Sequence, residues 1–254
     1  MDNALVMLTI IMIILMFIIA QKDAIRNLFG LILNVLAVFI LITLINFGLN
    51  PLVVLAVIAP VIVAVSIFMS ADENEVTFIA FKTSIMVILI LFPIAIIVQY
   101  LGHFQGFAAE NVDELENLSL DIGVNFSNVS IVVLVISVIG AISESSIALA
   151  ASLTEVIDQD ERMTIEQLKN QRKIISEQIL GTATNTLFFG MLGSSAGLIL
   201  WFTRLNYRFS DIINSKLLVA DVVTMLLGMI GILVAIIISG HFVQKNFVIQ
   251  KNKI

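Results

Sequence analysis

The feature that most constrains this chain is a series of apolar stretches, each close to the length that crosses a lipid bilayer. A transmembrane helix needs about 20 apolar residues. Mean hydropathy is +1.09 and 59% of the residues are hydrophobic, which is more apolar surface than a soluble fold of this size could bury. The sequence therefore predicts an all-α polytopic membrane protein, a single membrane domain over residues 1–254 with about seven transmembrane helices. The predicted helices cover residues 4–20, 28–46, 52–69, 77–101, 130–151, 179–203 and 217–240.

Basic residues are distributed unequally between the two sides that these helices define. Lys and Arg are enriched in cytoplasmic loops. Arg204, Arg208 and Lys216 lie on one side, and ten basic residues lie on the other. We therefore expect the N-terminus outside and the C-terminus inside the cell. The ten are Lys22, Arg26, Lys82, Arg162, Lys169, Arg172, Lys173, Lys245, Lys251 and Lys253.

Two polar segments interrupt the apolar stretches. The predicted outer loop, 102–129, is acidic and has neither Lys nor Arg. The inner segment, 158–178, carries Thr164 and Gln167 at capping-box spacing, followed by apolar residues at helical spacing. This pattern predicts an amphipathic helix that lies at the inner membrane surface and runs into the sixth span. A solvated charged loop is the alternative.

The composition excludes several classes of function. Without Cys there is no disulfide scaffold, cysteine-ligated metal site or thiol nucleophile. No basic patch is large enough for nucleic acid. Ser194 or Ser195 would need a neighbouring base to act as a nucleophile, and the two histidines, His103 and His241, lie at predicted membrane edges. We expect no enzymatic activity, no cofactor and no metal.

Ionisable side chains at bilayer depth identify candidate functional residues, because each costs about 2.5–3.5 kcal/mol to insert. With straight helices and a rise of about 1.5 Å per residue, four polar residues lie roughly 8–11 Å from the inner end of their spans. We expect these four to share an inner polar layer. Thr182 and Thr186 lie in the same predicted span as Asn185. The four are Asn34, Lys82, Glu144 and Asn185.

A second, outer polar layer is predicted from Asp221, Ser194 and Ser195, which lie closer to the opposite membrane surface. Small residues accompany both layers. Gly193 and Gly197 have the small-xxx-small spacing of a helix contact. In the seventh span, one face carries small and polar residues at spacings of three and four, which predicts packing against other helices. That face comprises Asp221, Thr224, Gly228, Gly231 and Ala235.

The functional interpretation of these layers is a cation or proton path, or a site for a polar substrate. Carboxylates supply a changeable charge, and Ser, Thr and Asn supply oxygens and amide donors. Structural interpretations stay open beside it. Lys82 can extend to the inner surface, Asp221 can lie among outer headgroups, and Glu144 and Asn185 can hydrogen bond across helices.

The region from the fifth span to the seventh resembles the YibE/F family of bacterial multi-pass membrane proteins. The resemblance is closest in the segment GTATNTL at 181–187 and the GSS at 193–195. Gly140, Ala141 and Glu144 match the family pattern of the fifth span, except that Glu replaces the usual Asp. Similarly, Asp221 replaces a Glu, and Gln178 replaces an Asp before the GT motif.

The resemblance implies a bacterial cytoplasmic membrane protein that works with a second, longer YibE/F-like chain or with itself. We expect a subunit of an ion-coupled transporter or permease for a small solute, with Glu144 binding the proton or cation. The alternative is a membrane scaffold that holds a larger YibE/F-like partner without transporting anything.

Overall fold

In a computed structural model, the chain folds almost entirely into helices. The structure describes residues 2–70, 74–104, 125–160 and 162–251, of which 90% are helical, with no strands among them. The helices in chain order are α1 (Asp2–Ala20), α2 (Asp23–Asn46), α3 (Pro51–Phe68), α4 (Asn74–Gly102), α5 (Phe126–Gln159), α6 (Ile165–Ser194), α7 (Ala196–Arg204), α8 (Phe209–Ile213) and α9 (Lys216–Lys251).

Five of these helices, α2 to α5 and α9, are long and apolar enough to cross a membrane, and α6 with α7 makes a sixth if the bent pair is one span. The prediction of an all-α polytopic membrane protein is thus confirmed. Helix α1 is apolar but shorter. The acidic residues of the predicted outer loop, Glu110, Asp113, Glu114, Glu116 and Asp121, lie outside the described residues, as does Lys253.

Helix α5 is the centre of the bundle and packs against α3, α4, α6 and α9. Its buried side chains are mostly β-branched or leucine, and the side chain of Ile142 is completely buried. Gly231 of α9 allows the closest approach in this region. A Cβ atom there would lie 2.9 Å from Ile142 Cγ1 and from Leu91 Cδ1. The small-residue face predicted for the last span therefore does pack against other helices.

Helix α6 begins as the sequence predicts but is much less buried than α5. The Thr164 hydroxyl accepts from the backbone N–H of Gln167, whose side chain in turn accepts from the Thr164 N–H at 2.8 Å, so the capping box is confirmed. The helix continues without interruption from Ile165 into the predicted sixth span. Within α6, every residue of which is described, Leu168 alone is buried.

The predicted sixth span is not the straight helix assumed in the depth estimates. It breaks at Ser195, where α6 and α7 meet at a bend of 48°. Within the described chain the predicted contact through Gly193 and Gly197 is not formed, because a Cβ built on either glycine would meet no atom within 4 Å. The bend falls between the two glycines, so they cannot form the continuous stripe that such a contact requires.

The turns that connect the helices lie at two opposite ends of the bundle, and contacts between helix ends show which turns lie together. The ε-nitrogen of Arg26 donates to the Met69 carbonyl at the end of α3, and Lys251 Nζ donates to the Met163 carbonyl before α6. Asn246 of α9 donates to Glu75 at the start of α4. We call this the basic end, because it carries most of the basic residues predicted to be cytoplasmic. At the other end, the turn before Pro51 shares a surface cavity with Asn125 at the start of α5.

Candidate functional site

A groove between α5 and α6 brings Glu144 together with two threonines. Glu144, Ser145 and Ala148 line it from α5, and Thr182 and Thr186 line it from α6. Its volume is about 170 Å³. The groove is open along one side, so the Glu144 carboxylate is an exposed group on the surface of the bundle and not a buried one.

Glu144 reaches this groove because α5 leaves one stripe of its surface uncovered. Val133, Ser137, Gly140 and Glu144 are all exposed, at spacings of four, three and four. These spacings place the four residues on one helical face. The residues on either side of the stripe, such as Ile142, pack into the bundle. The helix therefore directs the carboxylate away from the core and towards α6.

A second cavity continues the groove towards the other end of the bundle. It has a volume of about 230 Å³ and lies between α5, α6 and α9. Thr186 and Leu187 line both cavities, so the two cavities adjoin, and we call them together the polar groove. Besides Thr186, the second cavity is lined by polar side chains that include Ser137, Ser194, Asp221 and Thr224.

Asp221 is tied to the break between α6 and α7. The hydroxyl of Ser195, which is 2% exposed, donates to Asp221 Oδ2 at 2.5 Å. Its neighbour Ser194 is exposed and donates instead to the Met191 carbonyl of its own helix, at 2.9 Å. The predicted outer layer is thus brought together around the second cavity. One of its serines holds the aspartate, and the other lines the cavity.

The groove threonines present oxygen atoms to whatever occupies it. Thr182 donates its hydroxyl proton to carbonyls of the preceding turn, and Thr186 donates to the Thr182 carbonyl at 3.0 Å. A hydroxyl that donates in this way keeps its oxygen lone pairs as acceptors. Together with the Glu144 carboxylate, these oxygens favour a cation, a proton or a hydrogen-bond donor as the ligand.

The other residues of the predicted inner layer are placed elsewhere. Asn34 donates to the Ser66 hydroxyl at 2.9 Å between α2 and α3. Lys82 lies with its Nζ 5.0 Å from the centre of the Phe242 ring, near the basic end. Asn185 is exposed and does not line the polar groove. It lies one residue before Thr186, and a rotation of about 100° per residue directs its side chain off the groove face.

The sequence analysis missed a set of buried hydroxyl groups between α4, α5 and α9. Ser146 lies within 3.3 Å of Ser84, and Ser239 donates to the Ser146 carbonyl at 3.2 Å. All three serines are completely buried. The signal was the run of serines around Glu144, at 143, 145 and 146, which places hydroxyls on the packed faces of α5 as well as beside the open stripe.

Comparison with known proteins identifies a family but no individual relative. A family model described as YibE/F-like protein matches residues 8–248, nearly the whole chain. None of the curated proteins and none of the solved structures matches the chain. The matched region includes every residue that lines the polar groove.

Proposed function

Because the chain belongs to the YibE/F-like family, we propose that it is a subunit of an ion-coupled transporter or permease for a small solute in the bacterial cytoplasmic membrane. In this proposal Glu144 binds the coupling proton or cation, and Thr182 and Thr186 contribute oxygen ligands. Asp221 controls access from the outer side. Asn185, Asn34 and Lys82 lie outside the polar groove.

The proposal includes seven spans, with the N-terminus outside and the C-terminus inside. Helix α1 is 19 residues long, or about 28 Å at the rise of an α-helix, which is close to the roughly 30 Å hydrocarbon thickness. Counted with the five long helices and the bent pair, it gives seven. The excess of Lys and Arg at the basic end supports placing that end in the cytoplasm.

The observation that carries the proposal is the position of Glu144 in the polar groove. The carboxylate lies within an apolar span, and within the described part of the chain it forms neither an ion pair nor a hydrogen bond. A charged group at that depth costs about 2.5–3.5 kcal/mol. Binding a proton or a cation would neutralise it. A group whose charge is relieved only when an ion binds is suited to couple that ion to movement of another solute.

The break at Ser195 gives the groove an element that can move. The Ser195 hydroxyl donates to Asp221 of α9 at the point where α6 and α7 meet at 48°. Broken helices border ion and substrate sites in many transporters. In the proposed mechanism, neutralisation of Glu144 favours closing of the inner part of the groove, and straightening at Ser195 opens the outer part.

Carbodiimide labelling tests whether Glu144 takes up a proton in the membrane. Dicyclohexylcarbodiimide reacts with protonated carboxyl groups in apolar surroundings. We expect it to modify Glu144, mapped by mass spectrometry of the full chain, and expect modification to fall as the pH rises. Glu155 is the matched control, because it lies on the same helix but hydrogen bonds to Gln159 at an exposed position. Equal labelling of the two residues at all pH values would contradict the proposal.

The second candidate is a scaffold that binds a longer YibE/F-like chain or a second copy of itself. The observation that favours it is the open side of α6. Gly181, Gly190 and Gly193 have no atom within 4 Å of a built Cβ, which leaves room for another helix to approach closely. Gentle extraction of the tagged chain discriminates between the two. A scaffold predicts that Glu144→Gln weakens copurification of a partner and leaves solute flux unchanged.

A further inference from the structure

Three basic side chains and a histidine lie along the last part of α9 at the basic end of the bundle. Arg172 reaches it from α6, Lys82 reaches it from α4, and His241 and Lys245 belong to α9 itself. We call these four the basic belt. The two side chains from other helices contact α9, and the other two belong to it, all between residues 237 and 245. This segment rises about 12 Å along the helix.

Arg172 is held in place by a notch in α9. Its Nη2 donates to the Ile237 carbonyl at 3.0 Å. A Cβ atom on Gly240 would lie 2.8 Å from the guanidinium Cζ, so the side chain fits against the helix only because residue 240 is glycine. A guanidinium has five N–H donors. This contact fixes the position of the group and leaves most of its donors available.

Within the described residues, no member of the belt forms an ion pair. Two carboxylates at this end have other partners. Glu75 accepts a hydrogen bond from Asn246 at 3.1 Å, and Glu177 pairs with Lys173 at 3.9 Å. Lys82, His241 and Lys245 are exposed on the outside of the bundle.

The belt lies at the level of one lipid headgroup layer. Helix α9 has 36 residues and is about 54 Å long, longer than a bilayer is thick. If its apolar part begins at residue 217, a hydrocarbon layer of about 30 Å ends 20 residues later, near Ile237. Ile237 is the residue that Arg172 contacts. The belt therefore begins where the hydrocarbon ends and the phosphate groups of the lipids start.

We propose that the basic belt binds the headgroup phosphate of an anionic phospholipid, with the Arg172 guanidinium as its principal contact. A fixed guanidinium fork matches the geometry of phosphate oxygens. Basic pockets between transmembrane helices at the cytoplasmic side are recognised lipid-headgroup sites. The inference does not depend on the role of Glu144, because the belt is separate from the polar groove.

The test is native mass spectrometry of the full-length chain, released from neutral detergent in the presence of phosphatidylglycerol or of phosphatidylcholine with the same acyl chains. We expect preferential retention of phosphatidylglycerol. Arg172→Gln weakens that retention about fivefold, the value of one cation near an anionic headgroup. Gly240→Ala keeps every charge but displaces the guanidinium, so it lowers retention as well. Lys173→Gln, one residue away and already paired with Glu177, leaves retention unchanged.

Three results would overturn the proposal. The first is equal retention of the two lipids by the unmodified chain. The second is a loss in Lys173→Gln as large as in Arg172→Gln, which would mean nonspecific attraction. The third is displacement of phosphatidylglycerol by millimolar inorganic phosphate, which would identify a soluble anion as the ligand. If Arg172→Gln does not fold, Gly240→Ala carries the test, because it moves the guanidinium from its contact with Ile237, and unchanged retention in that variant would overturn the proposal.

Discussion

Helices α6 and α9 carry the same kind of sequence and have opposite surroundings. Both are long helices that combine glycines with hydroxyl side chains, although the first half of α6 is polar and charged. In α9, Gly228 and Gly231 are buried, and a Cβ on either would meet another side chain at 2.9 Å. In α6, a Cβ atom on Gly181 or Gly190 would meet no atom within 4 Å. The small residues of α9 bring helices together, and those of α6 border an open groove.

A small-residue pattern therefore permits two helices to approach closely but does not by itself bring them together. What decides is the partner surface. Helix α9 packs against α5, α4 and α6, and Leu187 of α6 lies next to Gly228. The open side of α6 borders the exposed stripe of α5 that carries Gly140 and Glu144. The packed region should therefore determine stability, and the open region should determine function. Substitutions can test this division directly.

The largest effect is expected from Ile142→Ala, in the packed region. Ile142 is completely buried and contacts Gly231. Truncating a buried isoleucine to alanine costs about 2–5 kcal/mol in the free energy of unfolding. Ile174→Ala in α6 is the matched control, because Ile174 is 43% exposed. Unfolding in mixed micelles should separate the two variants, and equal destabilisation would remove the distinction between the two regions.

Substituting one glycine in each region compares the packing of α9 with that of α6. In Gly231→Ala, the new methyl group meets Ile142 Cγ1 and Leu91 Cδ1 at 2.9 Å, an overpacking that costs about 1–3 kcal/mol. In Gly193→Ala, the methyl group points into open space, and alanine is the better helix former by roughly 1 kcal/mol. Melting temperatures should fall for the first variant and hold or rise for the second. A loss in Gly193→Ala as large as in Gly231→Ala would show that α6 is packed against something.

The adjacent serines at the bend give the smallest expected effect. Ser195→Ala removes the hydrogen bond to Asp221, and a hydrogen bond to a charged group contributes about 1.5–3 kcal/mol when buried. Asp221 is only partly buried, so we expect about 1–2 kcal/mol. Ser194→Ala removes a bond within its own helix and should change stability by less than about 0.5 kcal/mol. The order of the two losses, measured by unfolding, checks whether the bend is fastened at Ser195.

The helices were predictable from sequence because each follows from the length and apolar character of its own stretch of residues. The Thr164–Gln167 capping box is a local pattern too, and it occurs as expected. The break at Ser195 was not predictable in the same way. Gly193 and Gly197 fit a continuous helix as well as a broken one, and the hydrogen bond at the bend joins Ser195 to Asp221, 26 residues away.

The candidate site was predictable in part for the same reason. Depth estimates from helix rise placed Glu144, Asn34, Lys82 and Asn185 in one layer, but rise alone carries no information about which helices are neighbours. Asn34 contacts α3 and Lys82 contacts α9. The predicted position of Asn185 was wrong for a more local reason. Asn185 is one residue before Thr186, and the helix rotation between them turns its side chain off the groove face.

Ion flux across a membrane is the direct measure of whether Glu144 binds the coupling ion. Membrane vesicles containing the full chain, loaded with a pH-sensitive dye and given a potassium-diffusion potential, report proton entry. We predict that flux in Glu144→Gln falls to the level of vesicles without the chain, while Glu155→Gln, on the same helix but outside the polar groove, keeps the flux of the unmodified chain. Equal flux in Glu144→Gln and the unmodified chain, or no flux in either, would contradict the account.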